Sequence, residues 1–350
     1  MRTLIVFRQS WSAAALLAVA FLSASAFAQT TISSVESNKA VVATYMGAYG
    51  TDGFDAVAAN LEADGHRLTR HEFQNLRYNA DDPELSKLSD PPHVAIADRV
   101  NTVTRILGQA DRVAVTYRFT GRHVGDLFGI PATGKVIELE GAAMFTLADG
   151  RITESWFLAE EAGLLRQLDA RLPERADGKL NLPPTTGTVG TYDDALARHL
   201  AQPQDTPEWR HTRLLLAYKA LPENRPADYT FTGRPYLNIE RGGIDVIKFR
   251  GEELGIAGGH GESMSGRRDM IADTVADGDL AMMRFRLTAL NDGPLYGIPP
   301  GGKRLNDWEV GFARFEGDDW IDAWWLKDEL GFLLSIGNRE ALEFLVDDQP

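Results

Sequence analysis

The second half of this chain repeats the first. Asp111–Leu168 aligns without a gap on Asp279–Ile336, an offset of 168 residues. Of the 58 aligned positions 15 are identical, where ordinary residue frequencies give roughly one in fifteen by chance. The identities cluster. Gly129-Ile130-Pro131 returns as Gly297-Ile298-Pro299 and Gly134-Lys135 as Gly302-Lys303, while Trp156, Glu161 and Gly163 return as Trp324, Glu329 and Gly331. A duplicated unit of this length must fold as two copies of one domain, so any architecture assigned to one half has to serve the other.

Within each copy a helical stretch precedes a strand-rich block. Val35 to Tyr49 places Val41, Val42, Tyr45 and Tyr49 at helical spacing, and Thr206 to Leu221 does the same with Leu214, Leu215 and Tyr218. A further helix is expected over Val94 to Leu107, with a counterpart over Arg267 to Val275. Arg112 to Thr120 then alternates as a strand, Lys135 to Leu147 reads as a long strand, Asp149-Gly150 as a tight turn and Ile152 to Leu158 as the returning strand. A short helix over Glu160 to Leu168 closes the unit. Copy two offers Lys303 to Phe315, a turn near Gly317-Asp318, Trp320 to Leu326 and a helix from Asp328. Helices first and an antiparallel sheet after is an α+β layout.

The first residues set an expectation about compartment. Arg2 and Arg8, the apolar run Ala13 to Leu22 and the small-residue site Ala26-Phe27-Ala28 form a signal-peptide pattern, with cleavage after Ala28. Residues 1–28 are therefore read as a signal peptide, 33–170 as domain one, 171–190 with Pro183-Pro184 as a linker, and 191–337 as domain two. A secreted or periplasmic location follows. The chain has no cysteine, which excludes disulfides and thiolate chemistry. Two of its 36 basic residues fall in the signal segment, leaving 34 against 50 acids. That balance argues against nucleic acid or an anionic membrane as partner.

The segment Gly121-Arg122-His123-Val124-Gly125-Asp126-Leu127-Phe128-Gly129-Ile130-Pro131-Ala132-Thr133-Gly134-Lys135 resembles a motif of the SnoaL-like polyketide and ester cyclases, a branch of the NTF2-like superfamily. Ile152-Thr153-Glu154-Ser155-Trp156, Glu160 and Gly163-Leu164-Leu165-Arg166-Gln167-Leu168 resemble the same family's closing motif. The second copy keeps Gly297 to Gly302 and Trp324 to Gly331. The resemblance implies two tandem cone-shaped barrels, each a curved antiparallel sheet wrapped around helices. It also implies metal-free aldol-type chemistry with one carboxylate as acid and base. The family's carboxylate falls on Glu160 in copy one and Asp328 in copy two, with His123 a third candidate.

A base that removes a proton alpha to a carbonyl needs a pKa raised toward neutrality by apolar walls. Trp156, Trp320, Trp324, Met144 and Phe312 are the candidate pocket wall for a small apolar or aromatic ligand. A carboxylate that opens a helix is equally a routine helix-start residue. Copy one has Glu where the family has Asp, and copy two has Asn291 where copy one has His123, so the two sites differ chemically. Three readings stay open: a cyclase-, isomerase- or dehydratase-like enzyme, a small-molecule-binding protein, and a filled structural pseudo-dimer. The expected form is a monomer whose two domains pair internally.

No cofactor or metal is expected. Gly129 to Lys135 has phosphate-loop spacing, but Val136 stands where Ser or Thr must hold Mg²⁺. Gly261-Glu262-Ser263-Met264-Ser265 lacks the final glycine of a nucleophile elbow, and His66 and His71 lack metal spacing.

Overall fold

The structure, a computed structural model, describes residues 34–79, 95–172, 191–219, 226–234, 238–241, 263–295 and 298–337. The signal segment and most of the linker lie outside these residues. Helix α1 spans 34–48, followed by α2 (Phe54–Leu61), strand β1 (Glu62–Arg70) and α3 (Gln74–Asn79). Then come β2 (Ile96–Gln109), β3 (Arg112–His123), β4 (Val136–Ala148), β5 (Arg151–Ala159) and α4 (Glu161–Leu168). The second copy has α5 (Tyr192–Leu200), α6 (Pro207–Lys219), β6 (Asn238–Arg241), β7 (Met264–Asp277), β8 (Leu280–Asn291), β9 (Arg304–Glu316), β10 (Asp319–Lys327) and α7 (Glu329–Ile336).

The two sheets have the same topology. Their strand orders are β1-β5-β4-β3-β2 and β6-β10-β9-β8-β7. In each, one edge strand runs parallel to its neighbour, β1 to β5 and β6 to β10, and the other pairs are antiparallel. Asp149 and Gly150 both take positive φ, 51° and 74°, the turn that a right-twisted hairpin favours. This is an α+β arrangement, present twice. Among the described residues no helix is long and apolar enough to cross a membrane.

The helices predicted over Val94–Leu107 and Arg267–Val275 are strands β2 and β7. Irregular register explains the misreading. Strand β2 breaks step with β3 between Ala97 and Val100 and again between Val103 and Arg105, and β7 does so at Ser265/Arg268 and Ile271/Asp273. Each bulge shifts the in-out alternation by one and leaves apolar residues three or four apart, as in a helix.

Inside the first cone, α1 and the turn after it lay Val42, Tyr45, Met46 and Tyr49 on the sheet. Tyr49 stacks on Phe157 with ring centres 4.6 Å apart, and Tyr45 meets Phe145 edge-on at 5.7 Å. The second cone is filled by Leu214, Leu215, Phe285, Phe315 and Trp320, with His211 stacked on Phe315 at 4.6 Å. The opposite faces of the two sheets meet each other. Leu107, Ala114, Ala142, Met144, Trp156 and Leu158 of the first pack against Val275, Met282, Trp308, Val310, Phe312, Trp324 and Leu326 of the second. With both faces covered, the central strands are buried on both sides: Val113 to Tyr117 and Ala281 to Phe285 are all buried, and only Thr116 and Arg284 among them are polar.

Candidate functional site

The period of two along a strand decides which candidates share a space. Met144, Trp156, Phe312 and Trp324 stand on the even positions of β4, β5, β9 and β10, and all four face the junction between the sheets. Their assignment to a cone pocket is corrected accordingly. The cone-facing positions of β4 and β9 are Ala143, Phe145, Ala313 and Phe315. Of the five proposed wall residues only Trp320 lies on the cone side. There it packs on Tyr218 and Trp325, and its ring N–H donates to the Asp322 carbonyl at 2.7 Å.

His123 is fully buried, and its Nδ1 accepts from the Thr133 N–H at 3.3 Å and pairs with the Thr133 hydroxyl at 3.1 Å. In copy two the Asn291 side-chain oxygen accepts from the Gly301 N–H at 2.6 Å, at the same position of the same loop. The two residues staple equivalent turns. The His/Asn exchange is a change of staple, and these bonds tie His123 to the turn.

Glu160 and Asp328 end strands β5 and β10 and cap helices α4 and α7. Glu160 accepts from the Gly163 N–H, and Asp328 from the Gly331 N–H at 3.0 Å. Both glycines belong to the repeat for a steric reason: a Cβ at Gly163 or Gly331 would stand on the capping carboxylate. The following residues, Glu161 and Glu329, are buried as well.

Helices α4 and α7 meet where the domains join. Four carboxyl groups gather there crosswise, Glu160 against Glu329 and Glu161 against Asp328. Burial first, then the Glu329 charge, pushes Glu160 up to about 8. Burial and the Asp328 charge raise Glu161 well above the carboxylate range. Burial raises Asp328 to about 6, while the Gly331 N–H, the Asn75 amide and Lys327 pull the other way. Asp328 is half-buried and Glu160 is buried.

Asn75 of α3 ties the cluster together. Its Nδ2 lies 2.7 Å from Asp328 Oδ1 and 3.2 Å from Glu161 Oε1, and its backbone N–H donates to the same Glu161 oxygen at 3.1 Å. The sequence reading missed Asn75 because α3 lies outside the aligned repeat. Asp307 joins from β9, raised by burial and by Asp328. A second polar cluster sits inside the first cone. There Glu72 accepts from Tyr49 Oη at 2.6 Å, Arg99 at 3.3 Å and Tyr117 Oη at 3.4 Å. Among the described residues no group of three His, Asp or Glu has metal-holding geometry.

Residues 93–168 match the family model of SnoaL-like polyketide cyclase. No curated protein matches the chain. Solved structures that resemble it include a SnoaL-like polyketide-cyclase-type protein from Jannaschia sp. CCS1, 20% identical with a TM-score of 0.29, over 38% of this chain and 92% of that one. IdmH, a polyketide-cyclase-type protein from Streptomyces antibioticus, is 23% identical with a TM-score of 0.30, over 37% and 97%. TsrD from Streptomyces laurentii is 20% identical with a TM-score of 0.29, over 38% and 95%. The family match thus lies within the first copy, over residues 93–168, and the sheet topology found there is repeated in the second copy.

Proposed function

We propose that the chain carries out acid–base chemistry on a small carbonyl compound, of the cyclase, isomerase or dehydratase class, with Asp328 as the working carboxylate. The observation that carries this is the setting of Asp328, a half-buried carboxyl that faces Glu161 and accepts from the Asn75 amide at 2.7 Å, with burial pushing its pKa up to about 6. A base near neutrality is both ionised enough to accept a proton and basic enough to take one from carbon. Its carboxylate removes a proton alpha to a carbonyl and leaves an enolate. In a ring closure the enolate carbon bonds to a second carbonyl carbon, and the alkoxide formed takes the same proton back from Asp328. No other reactant is needed. Burial and the Asp328 charge raise Glu161 as well, so the two carboxyl groups titrate as a pair. The ligand in this reading is a small apolar or aromatic molecule, and the signal-peptide pattern of residues 1–28 supports a periplasmic or extracellular site of action.

A second reading has its own support. Glu160 and Asp328 each use a side-chain oxygen to cap a helix, so their placement equally suits a binding protein that performs no chemistry. Deuterium exchange separates the two. In D₂O, NMR follows loss of the alpha-proton signal of a 1,3-dicarbonyl panel with wild-type protein and Asp328→Asn. Catalysed exchange that is lost in the variant supports the enzyme, with a rate rising through a pH near the Asp328 value. Exchange that survives in Asp328→Asn removes Asp328 from the role. Saturable binding without exchange supports the binding protein.

A further inference from the structure

We propose that the groove between the two domains beside Arg112, Arg198 and Arg284 binds a small organic anion, an oxyanion carried on an apolar body. The groove is a cavity of about 530 Å³, within the range of small-molecule sites. Three guanidiniums converge there on one carboxylate, Asp273: Arg112 through a short contact, Arg198 at 2.7 Å and Arg284 at 3.6 Å. Asp273 is 2% exposed and can neutralise only one of them. The other acids of the lining are already engaged. Glu154 pairs with Arg67 at the rim, and Asp194 closes the N-terminal capping box of α5 with Thr191. Even counting these, the lining holds four arginines against three carboxylates, in a chain whose net charge is −14.

The floor of the groove is built for an anion. Arg284 is 7% exposed, and among the described residues neither its Nε nor that of Arg112 has a hydrogen-bond partner. Its guanidinium lies 4.9 Å from the ring centre of Trp156, which together with Met144 offers an apolar wall. Burial first, with Arg112 and Arg198 adding to it and Asp273 opposing, pulls Arg284 down to about 10. It stays charged at neutral pH in a place unfavourable to charge, and a bound oxyanion relieves both effects.

The duplication supplies an internal comparison. The corresponding groove around Trp324 has a cavity of about 400 Å³. At the 168-residue offset Leu280 replaces Arg112, Thr116 replaces Arg284 and Arg105 replaces Asp273. Arg105 lies over Phe312 at 4.8 Å and Trp324 at 5.6 Å, and Arg314 pairs with Asp322 at 2.6 Å. One ancestral groove has thus become two, and the convergence of three arginines on a single carboxylate is confined to one of them.

Calorimetric titration of the full chain tests this with benzoate, phenyl phosphate, inorganic phosphate and neutral benzamide. Benzoate or phenyl phosphate is expected to saturate the protein, and the tighter of the two names the anion. Arg198→Gln and Arg112→Leu are each expected to weaken it about tenfold, the loss of one charge-assisted bond. Arg198 sits on the partly exposed α5, so its variant carries the test if Arg112→Leu does not fold. The proposal is overturned if neither anion saturates by about 10 mM, a Kd beyond useful affinity. It is equally overturned if benzamide binds as well as benzoate, if inorganic phosphate binds as tightly as phenyl phosphate, or if both variants bind as wild type does.

Discussion

The Asn75 side chain, on the first domain, donates to the Asp328 carboxylate of the second at 2.7 Å. One amide thus bridges the acid that the family's motif singles out and Glu161 of the other copy. Asn75→Ala leaves two acceptors short of a donor in a buried junction, which costs about 1–3 kcal/mol. Because the amide lowers the Asp328 pKa, its removal moves that pKa above about 6. Urea unfolding and NMR titration of Asp328 check the two effects. An Asp328 pKa that does not rise contradicts the bridge.

Stability should fall as pH rises from about 6.5 to 8. Glu160 has a folded pKa of about 8 against an ordinary value of 4.5. A raised carboxyl pKa means that the native state binds more protons than the unfolded one, and this contribution is lost as pH climbs toward the folded value. Buried His71 and His199, lowered to about 3 and 4, act in the opposite sense, but only below the ordinary histidine pKa of 6.5. Above it both are neutral in either state. Calorimetry should therefore show a Tm that declines over this window, and Glu160→Gln should flatten the decline. An unchanged slope in that variant would falsify the assignment.

The β4–β5 and β9–β10 hairpins and the closing helices were legible because each rests on local chemistry, whereas β2 and β7 read as helices. Asp149-Gly150 needs two left-handed residues, and Gly163 and Gly331 need to lack a Cβ. The faces of the strands were not legible. Alternation along β4 separates Met144 from Phe145 but does not say which side meets the helices. An exposed sheet would mark its outer face with polar residues. Here the outer face is covered by another sheet, so Met144, Trp156 and Trp324 look like walls of a pocket inside the cone. Asn75 was invisible for a different reason: its partner Asp328 is 253 residues away, and no local pattern announces such a bond.

His123→Asn should be nearly silent. Asn291 already performs the same stapling in copy two, accepting from the N–H at the equivalent loop position. The expected change is within about 1 kcal/mol, the net worth of one hydrogen bond. His123→Leu removes the acceptor for the Thr133 N–H and should cost more than the Asn variant. If thermal melts place the two variants together, the staple is not what holds His123 in place.

The junction between the sheets should govern how the chain unfolds. Trp156 packs edge-on against Trp308 with ring centres 5.9 Å apart, and both rings flank His71. Two domains joined through such a surface should unfold together, because neither can expose its half without losing the other's cover. The wild-type chain is expected to scatter light as a single-chain mass and to melt in one transition. Trp156→Ala opens a cavity in the junction and costs about 3–5 kcal/mol, as aromatic truncations in cores do. It should also split the melt, since the weakened junction no longer couples the cones. Trp320→Ala removes a ring of the same size from inside the second cone, so it should lower that cone's stability and leave the first coupled to it. Two transitions in the wild type, or a stable two-chain mass with the sheets apart, would show that the junction does not hold the domains together in solution.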